Sequence, residues 1–279
     1  MSKKRLGIGF IGGGFITRFH IQSLIGVRDC DVVGVMSRTR ESAEESAKLA
    51  RTTGVGDATA YDTISDMVAD PKIDALWICS PNFARIETFE EIAEAVISGK
   101  GKLVGVTCEK PLGRNVAEAK KVLKLTQRAG LLDGYLENQV FAPSVTRGKE
   151  IIWARGAATT GRPYLARAAE EHSGPHMPWF WEGELQGGGV LNDMMCHSVE
   201  EARFMLTEPG KHRESLTPLS VNAYTACLKW QQPKYANILS ENSGGKTDYL
   251  KKPSEDFARS LVEYADEDGN RLVLETTTS

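Results

Sequence analysis

Through the first half of the chain, short continuous apolar runs alternate with stretches whose apolar residues recur at helical spacing. Residues 6–11, 31–36, 73–79, 102–108 and 131–136 form the runs, with a shorter one near 58–61. Residues 15–25, 39–51, 63–68, 85–98 and 116–129 lie between them and predict helices. Over 85–98, Ile86, Phe89, Ile92, Ala93 and Val96 fall on one face. The stretch 39–51, rich in Glu, Ala, Ser and Lys, reads as an exposed helix. Strands that are apolar throughout, each followed by an amphipathic helix, imply a parallel sheet covered on both faces.

Past residue 140 the alternation stops. A helix is predicted over 144–155, an extended stretch over 162–171, and a loop over 172–189 that closes in three glycines. A further helix over 190–206 is stopped by Glu208-Pro209-Gly210. Strands are predicted over 221–230 and 258–264, the second joined to one over 271–276 by the turn Asp266-Glu267-Asp268-Gly269-Asn270. The fold class is α/β: a doubly wound parallel sheet over residues 1–138, then an α+β domain over 139–279. Residues 275–279 still read as strand, so a C-terminally truncated second domain is expected.

With 279 residues, 41% of them hydrophobic, the chain has material for two cores. A net charge of −3 argues against a nucleic-acid surface. The five cysteines, Cys30, Cys79, Cys108, Cys196 and Cys227, are odd in number, widely spaced and free of any CxxC pair. That pattern fits a reducing compartment and argues against a disulfide framework or a structural zinc site. The basic start, Met1 to Arg5, imitates a signal peptide, but its apolar run is short and is broken by Gly12-Gly13-Gly14. No stretch is long enough to span a membrane. The expectation is a cytoplasmic protein with neither nucleic acid nor membrane as partner.

Gly12-Gly13-Gly14-Phe15-Ile16-Thr17 follows a predicted strand and opens a helix. It matches the first two glycines of GxGxxG, with Thr17 in place of the third. Gly12 permits the tight turn, Gly14 lets a pyrophosphate approach the backbone, and Phe15 and Ile16 begin the helix whose N-terminus faces it. A glycine-rich turn without a ligand is the alternative, weakened by the alternating units that follow. The second strand ends in Ser37-Arg38 with no acid for ribose hydroxyls. The cofactor is therefore NAD or NADP. Arg38 tips the reading towards NADP if it holds a 2′-phosphate, and a solvated arginine is the alternative.

Ser80-Pro81-Asn82 after one strand, Cys108-Glu109-Lys110-Pro111-Leu112 after the next, and the GG…D…H segment from Gly187 to His197 resemble the glucose–fructose oxidoreductase/inositol dehydrogenase/MocA family. The resemblance covers nearly the whole chain. It implies a Rossmann domain followed by an open, mainly antiparallel sheet. It implies that Ser80, Pro81 and Asn82 border the cofactor, that Glu109 and Lys110 sit by the nicotinamide ribose, and that the Lys110–Pro111 peptide is cis. Members of this family are usually longer, in keeping with truncation here.

Lys110 also stands out by position, beyond the carboxyl end of a parallel strand, where open α/β sheets hold ligands. A positive nicotinamide ring nearby would lower its pKa and suit it to proton exchange. A surface lysine is the alternative. Asp193 and His197, four apart on a predicted helix, would share a face, the carboxylate orienting an imidazole that moves the substrate proton. A surface Asp–His pair is the alternative. A zinc site would need a third ligand from Glu170, His172 or His176, and no metal is expected. His172, His176 and Trp181 in the aromatic loop, with Asn138, Asp193 and His197, are the candidate substrate contacts.

The expected activity is hydride transfer between nicotinamide and a hydroxyl-bearing carbon of a sugar, cyclitol or related polyol. Lys110, Asp193 and His197 are the expected catalytic residues, in a homodimer or homotetramer. A redox-assisted glycosidase or lyase with tightly held NAD and a non-enzymatic dinucleotide sensor are the competing readings. The sensor has no need of a proton relay.

Overall fold

A computed structural model describes residues 5–174 and 177–279. The chain divides into two compact units, Met1–Leu136 and Glu137–Ser279.

In the first unit the strands are β1 (Leu6–Ile11), β2 (Cys30–Met36), β3 (Thr59–Tyr61), β4 (Ala75–Ile78), β5 (Gly105–Glu109) and β6 (Leu132–Leu136). Helices α1 (Phe15–Ser23), α2 (Arg40–Thr52), α3 (Ile64–Ala69), α4 (Arg85–Ile97) and α5 (Val116–Arg128) alternate with them. All strands run parallel in the order β3-β2-β1-β4-β5-β6. The chain reverses its direction of travel across the sheet between β1 and β4. Beyond the carboxyl ends of the strands at such a switch point, open α/β sheets hold their ligands.

Both faces are covered, as the apolar strands require. Ile8, Phe10, Val32 and Val35 pack with Ile21 of α1 and with α2. Ile11, Leu76, Ile78, Val106 and Cys108 pack with Met67 of α3, Phe89 and Ile92 of α4, and Val122 of α5. Burying a side chain of this size contributes roughly 1.5–3 kcal/mol. Helix α2, expected to be exposed, instead buries Ala43, Ser46, Ala47 and Ala50. These small residues recur at helical spacing and let α2 sit close to the sheet, a face that its charged majority hides in the sequence.

Helix starts in this unit fall into two sorts. Thr39, Thr63 and Asn115 cap α2, α3 and α5, each accepting a backbone N–H of the first turn with its side chain. The starts of α1 and α4, which follow the two strands at the switch point, have no side-chain cap.

The second unit begins with α6 (Pro143–Ile151), which continues through a π-helical stretch, Ile152–Ala157, into the short α7 (Ala158–Thr160). β7 (Leu165–Glu170), α8 (Gly183–Gln186), α9 (Val190–Asp193) and α10 (Met195–Leu206) follow, then β8 (Thr217–Ala226), α11 (Pro233–Asn242), β9 (Phe257–Ala265) and β10 (Arg271–Thr278). The sheet runs β7-β10-β9-β8; only the β7–β10 pair is parallel. Ala202 and Leu206 of α10 pack with Val262, Tyr264, Leu272 and Leu274 of one sheet face. Alternation along β9 and β10 leaves the opposite face partly exposed, with Leu261 among its exposed residues.

Several sequence expectations shift here. The strand expected over 221–230 begins at Thr217 and ends at Ala226. It stops because the Asp256 carboxylate accepts the backbone N–H groups of Leu228, Lys229 and Trp230, at 2.6, 2.9 and 2.7 Å, and bends the chain away. Helix α11 has no counterpart in the sequence reading; it buries only Ala236 and Leu239, too few to show a period. The helix expected over 190–206 breaks at Met194 into α9 and α10. Glu255 takes the N–H groups of Gly189 and Leu191 on its carboxylate and that of Val190 on its carbonyl, which pins the first turn separately. Among the described residues, no helix is long and apolar enough to cross a membrane.

Candidate active site

The glycine turn sits at the switch point. Gly12 has φ +109°, and a Cβ there would stand 2.7 Å from the Cys79 carbonyl oxygen. Only glycine meets both conditions. Thr17, in place of the third motif glycine, is fully buried and donates its hydroxyl to the Gly12 carbonyl at 2.6 Å, bracing the turn. Ser42 and Ser46 of α2 donate to the Gly13 carbonyl at 2.7 and 3.1 Å. A Cβ on Gly14 would meet nothing within 4 Å, so the space before α1 is open.

Open space, an uncapped helix start and no acidic residue in the first turn of α1 suit a pyrophosphate. The start of α9 makes the contrast, because Glu255 already fills it. Ser80 adds a buried hydroxyl oxygen without a hydrogen-bond partner at the end of β4. Asn82 is 2% exposed, Pro81 and Ile16 are partly buried, and Phe15 is exposed. These residues fit a dinucleotide. A Gly12→Ala variant is expected to lose about 1–3 kcal/mol of stability and most of its NADH affinity. Unchanged melting temperature and NADH fluorescence titration would contradict this account of the turn.

The Lys110–Pro111 peptide is cis. The lysine backbone is gripped from two sides. Its N–H donates to Glu109 Oε2 at 3.1 Å, and its carbonyl accepts from Arg85 Nη2 at 3.2 Å. Arg85 Nε also donates to the Ser80 carbonyl at 3.2 Å, which links this segment to the Ser80-Pro81-Asn82 loop. The other oxygen of Glu109, Oε1, accepts from His20 Nε2 at 2.6 Å. Burial pushes the Cys108 thiol pKa up, and that of Cys79 likewise, so neither is poised as a nucleophile.

In the second unit, a solvent-open cleft is lined by His172, Trp181, Asp193, Trp230, Tyr249 and Glu255, among others. Trp181 meets Trp230 edge-on at 4.9 Å and Tyr249 at 5.9 Å. His172, Trp181 and Asp193 of the sequence candidates therefore share one cleft. Asn138 is exposed and precedes a short 3₁₀ turn without a side-chain capping bond. His176 lies outside the described residues.

His197 is 5% exposed, and its Nδ1 stands 2.6 Å from Glu137 Oε2. The two atoms are in close contact without the alignment of a hydrogen bond. Glu137 Oε1 is fixed separately by the Gln139 N–H at 2.9 Å. Because of the break at Met194, Asp193 and His197 do not share a continuous helix. The imidazole faces a carboxylate, Glu137, that sequence reasoning missed. Cys196 also comes near: ligand-type atoms of Glu137, Cys196 and His197 all lie within 4.8 Å of one another. Two ligands of one tetrahedral Zn²⁺ stand about 3.3 Å apart at bond lengths near 2.0 Å. The 2.6 Å between Glu137 Oε2 and His197 Nδ1 is shorter, so this oxygen and this nitrogen do not serve one such ion as they stand.

Residues 6–134 match a family model described as an oxidoreductase family with an NAD-binding Rossmann fold. Residues 156–278 match the GFO/IDH/MocA C-terminal domain. A 1,5-anhydro-D-fructose reductase of Ensifer adhaerens is 29% identical over 202 residues, which cover 72% of this chain and 56% of that protein. A myo-inositol 2-dehydrogenase of Thermotoga maritima is 26% identical over 202 residues, covering 72% and 55%. The chain thus spans little more than half the length of these relatives. Among solved structures, GenD2 from gentamicin A biosynthesis, in complex with NAD, superposes with a TM-score of 0.72 at 23% identity, over 100% of this chain and 67% of that one. Levoglucosan dehydrogenase with NADH and levoglucosan gives 0.71 at 21% identity, over 99% and 67%. These likenesses carry the fold, and the family matches carry the lineage: the chain belongs to the Gfo/Idh/MocA family of oxidoreductases.

Proposed function

We propose that this chain is an NAD(P)-dependent oxidoreductase acting on a hydroxyl-bearing carbon of a sugar, cyclitol or related polyol. The observation that carries the reading is the open, uncapped start of α1 in the same unit as a lysine whose backbone is clamped at the carboxyl end of β5. The names of the relatives, a reductase of an anhydro sugar and a dehydrogenase of a cyclitol, support the substrate class. A bound nicotinamide supplies the hydride acceptor or donor.

Gly12, Gly14 and the first turn of α1 would hold the pyrophosphate, and the Ser80–Asn82 loop would border the cofactor. Lys110 Nζ would donate to the reacting oxygen and stabilise the alkoxide charge that develops there. Asp193, with its aromatic neighbours, would bind hydroxyls and ring faces. His197, with Glu137 at Nδ1, would exchange a proton at Nε2. The exposed sheet face carrying Leu261 offers a surface for a second copy. Sugars and cyclitols assayed with each cofactor at the nicotinamide absorbance provide the test. Cofactor binding without turnover of any of them would remove the substrate class.

NADP is the better cofactor on the same reading. Arg38 is exposed and has no charged partner among the described residues, whereas Arg40 is held by Glu44 and Asp62. Arg38→Ala is expected to weaken NADPH binding about tenfold or more, the worth of a charge-assisted hydrogen bond, and to leave NADH within about twofold. Equal effects on the two cofactors in fluorescence titrations would reject this role for Arg38.

A further inference from the structure

We infer that His20 is a positioning residue that governs the presentation of Lys110 through Glu109, an inference that rests on the role proposed above for Lys110. His20 lies on α1, 89 positions before its carboxylate partner. It is held in an aromatic box, stacked near Phe10 at 6.3 Å and edge-on to Trp77 at 5.0 Å. A carboxylate only accepts hydrogen bonds, so the ring proton in this contact sits on Nε2.

Glu109 is 7% exposed, and its two oxygens have separate tasks. Oε1 accepts the His20 Nε2–H at 2.6 Å, and Oε2 accepts the Lys110 N–H at 3.1 Å. A buried carboxylate that loses one of two donors turns to recover it, or draws in water. Either response loosens the Lys110 backbone on its amide side, with Arg85 still holding the carbonyl. The glycine turn and the lysine thus share a support, since α1 carries both the uncapped start and His20.

The test compares His20→Phe, which keeps the box filled but removes the donor, with His20→Gln, which restores an N–H near Nε2. In the full chain, with the polyol that gives turnover, His20→Phe is expected to lower kcat about tenfold to a hundredfold, the scale of a misplaced catalytic group. KM and the NADH fluorescence titration should stay within about twofold. His20→Gln should recover at least half of the lost activity on a logarithmic scale.

His20→Phe with wild-type kcat would overturn the inference. So would equal loss in both variants together with a lowered melting temperature, which marks His20 as purely structural. Lys110→Ala separates the two levels of argument. If it leaves turnover intact, the role of Lys110 has failed whatever His20 does; if it abolishes turnover while His20→Phe is harmless, only the inference about His20 has failed.

Discussion

Replacing Lys110 with alanine is expected to lower kcat by about 10²- to 10³-fold, the usual cost of removing a donor that stabilises a developing oxyanion. NADH affinity should move by about twofold or less, because the clamp on this residue is made by its backbone N–H and carbonyl, which alanine retains. Alanine also keeps the N–H donor that Glu109 needs, so the fold around β5 should survive and the melting temperature should hardly change. Lys110→Arg is a sharper version of the same experiment. It preserves the positive charge but replaces a compact ammonium with a longer planar fork that does not reach the same point, so it should recover only part of the loss. Turnover within twofold of wild type in the alanine variant would end the assignment of Lys110.

That prediction comes from a part of the molecule that the sequence displays openly. The β1–turn–α1 signal is local: strand, glycines and helix follow within 18 residues, from Leu6 to Ser23. The parallel sheet is equally legible, because strands buried on both faces must be apolar throughout. Even the altered motif position resolves simply, with the Thr17 hydroxyl closing the turn that a third glycine would have left to packing.

What the sequence conceals is made of long-range polar contacts. His20 reads as one residue in an amphipathic helix, and its meaning depends on Glu109 at the end of β5. Arg85 opens an ordinary helix until its guanidinium is seen to bridge the Ser80 and Lys110 carbonyls. The break at Met194 is set by Glu255, more than 60 positions away, through the N–H groups of Gly189 and Leu191. Helical spacing of Asp193 and His197 suggested a shared face, and the break removes the continuous helix on which that spacing rested. A periodic pattern reports which residues face a core; it does not report which distant carboxylate takes a backbone N–H.

Glu137 follows directly from that limit. Its substitution by glutamine is expected to lower kcat by about 10²- to 10⁴-fold, approaching the loss seen when the carboxylate behind a catalytic imidazole is made an amide. With Oε2 at 2.6 Å, the negative charge of the carboxylate favours the ring proton on Nδ1 electrostatically, even without hydrogen-bond alignment, and so leaves the Nε2 lone pair free to accept one. An amide nitrogen turned to the same place would donate to Nδ1 and put the ring proton on Nε2, where it blocks proton acceptance. Glutamine can still accept the Gln139 N–H through its remaining oxygen, so the local turn should persist. On the role proposed for His197, Glu137 acts on the reaction only through that imidazole. The double variant Glu137→Gln, His197→Asn should therefore be no slower than His197→Asn alone, whereas independent roles would multiply the two losses. Multiplicative losses, or a Glu137→Gln enzyme at wild-type speed with its melting temperature intact, would leave the imidazole to be oriented by Asp193 as the sequence first suggested.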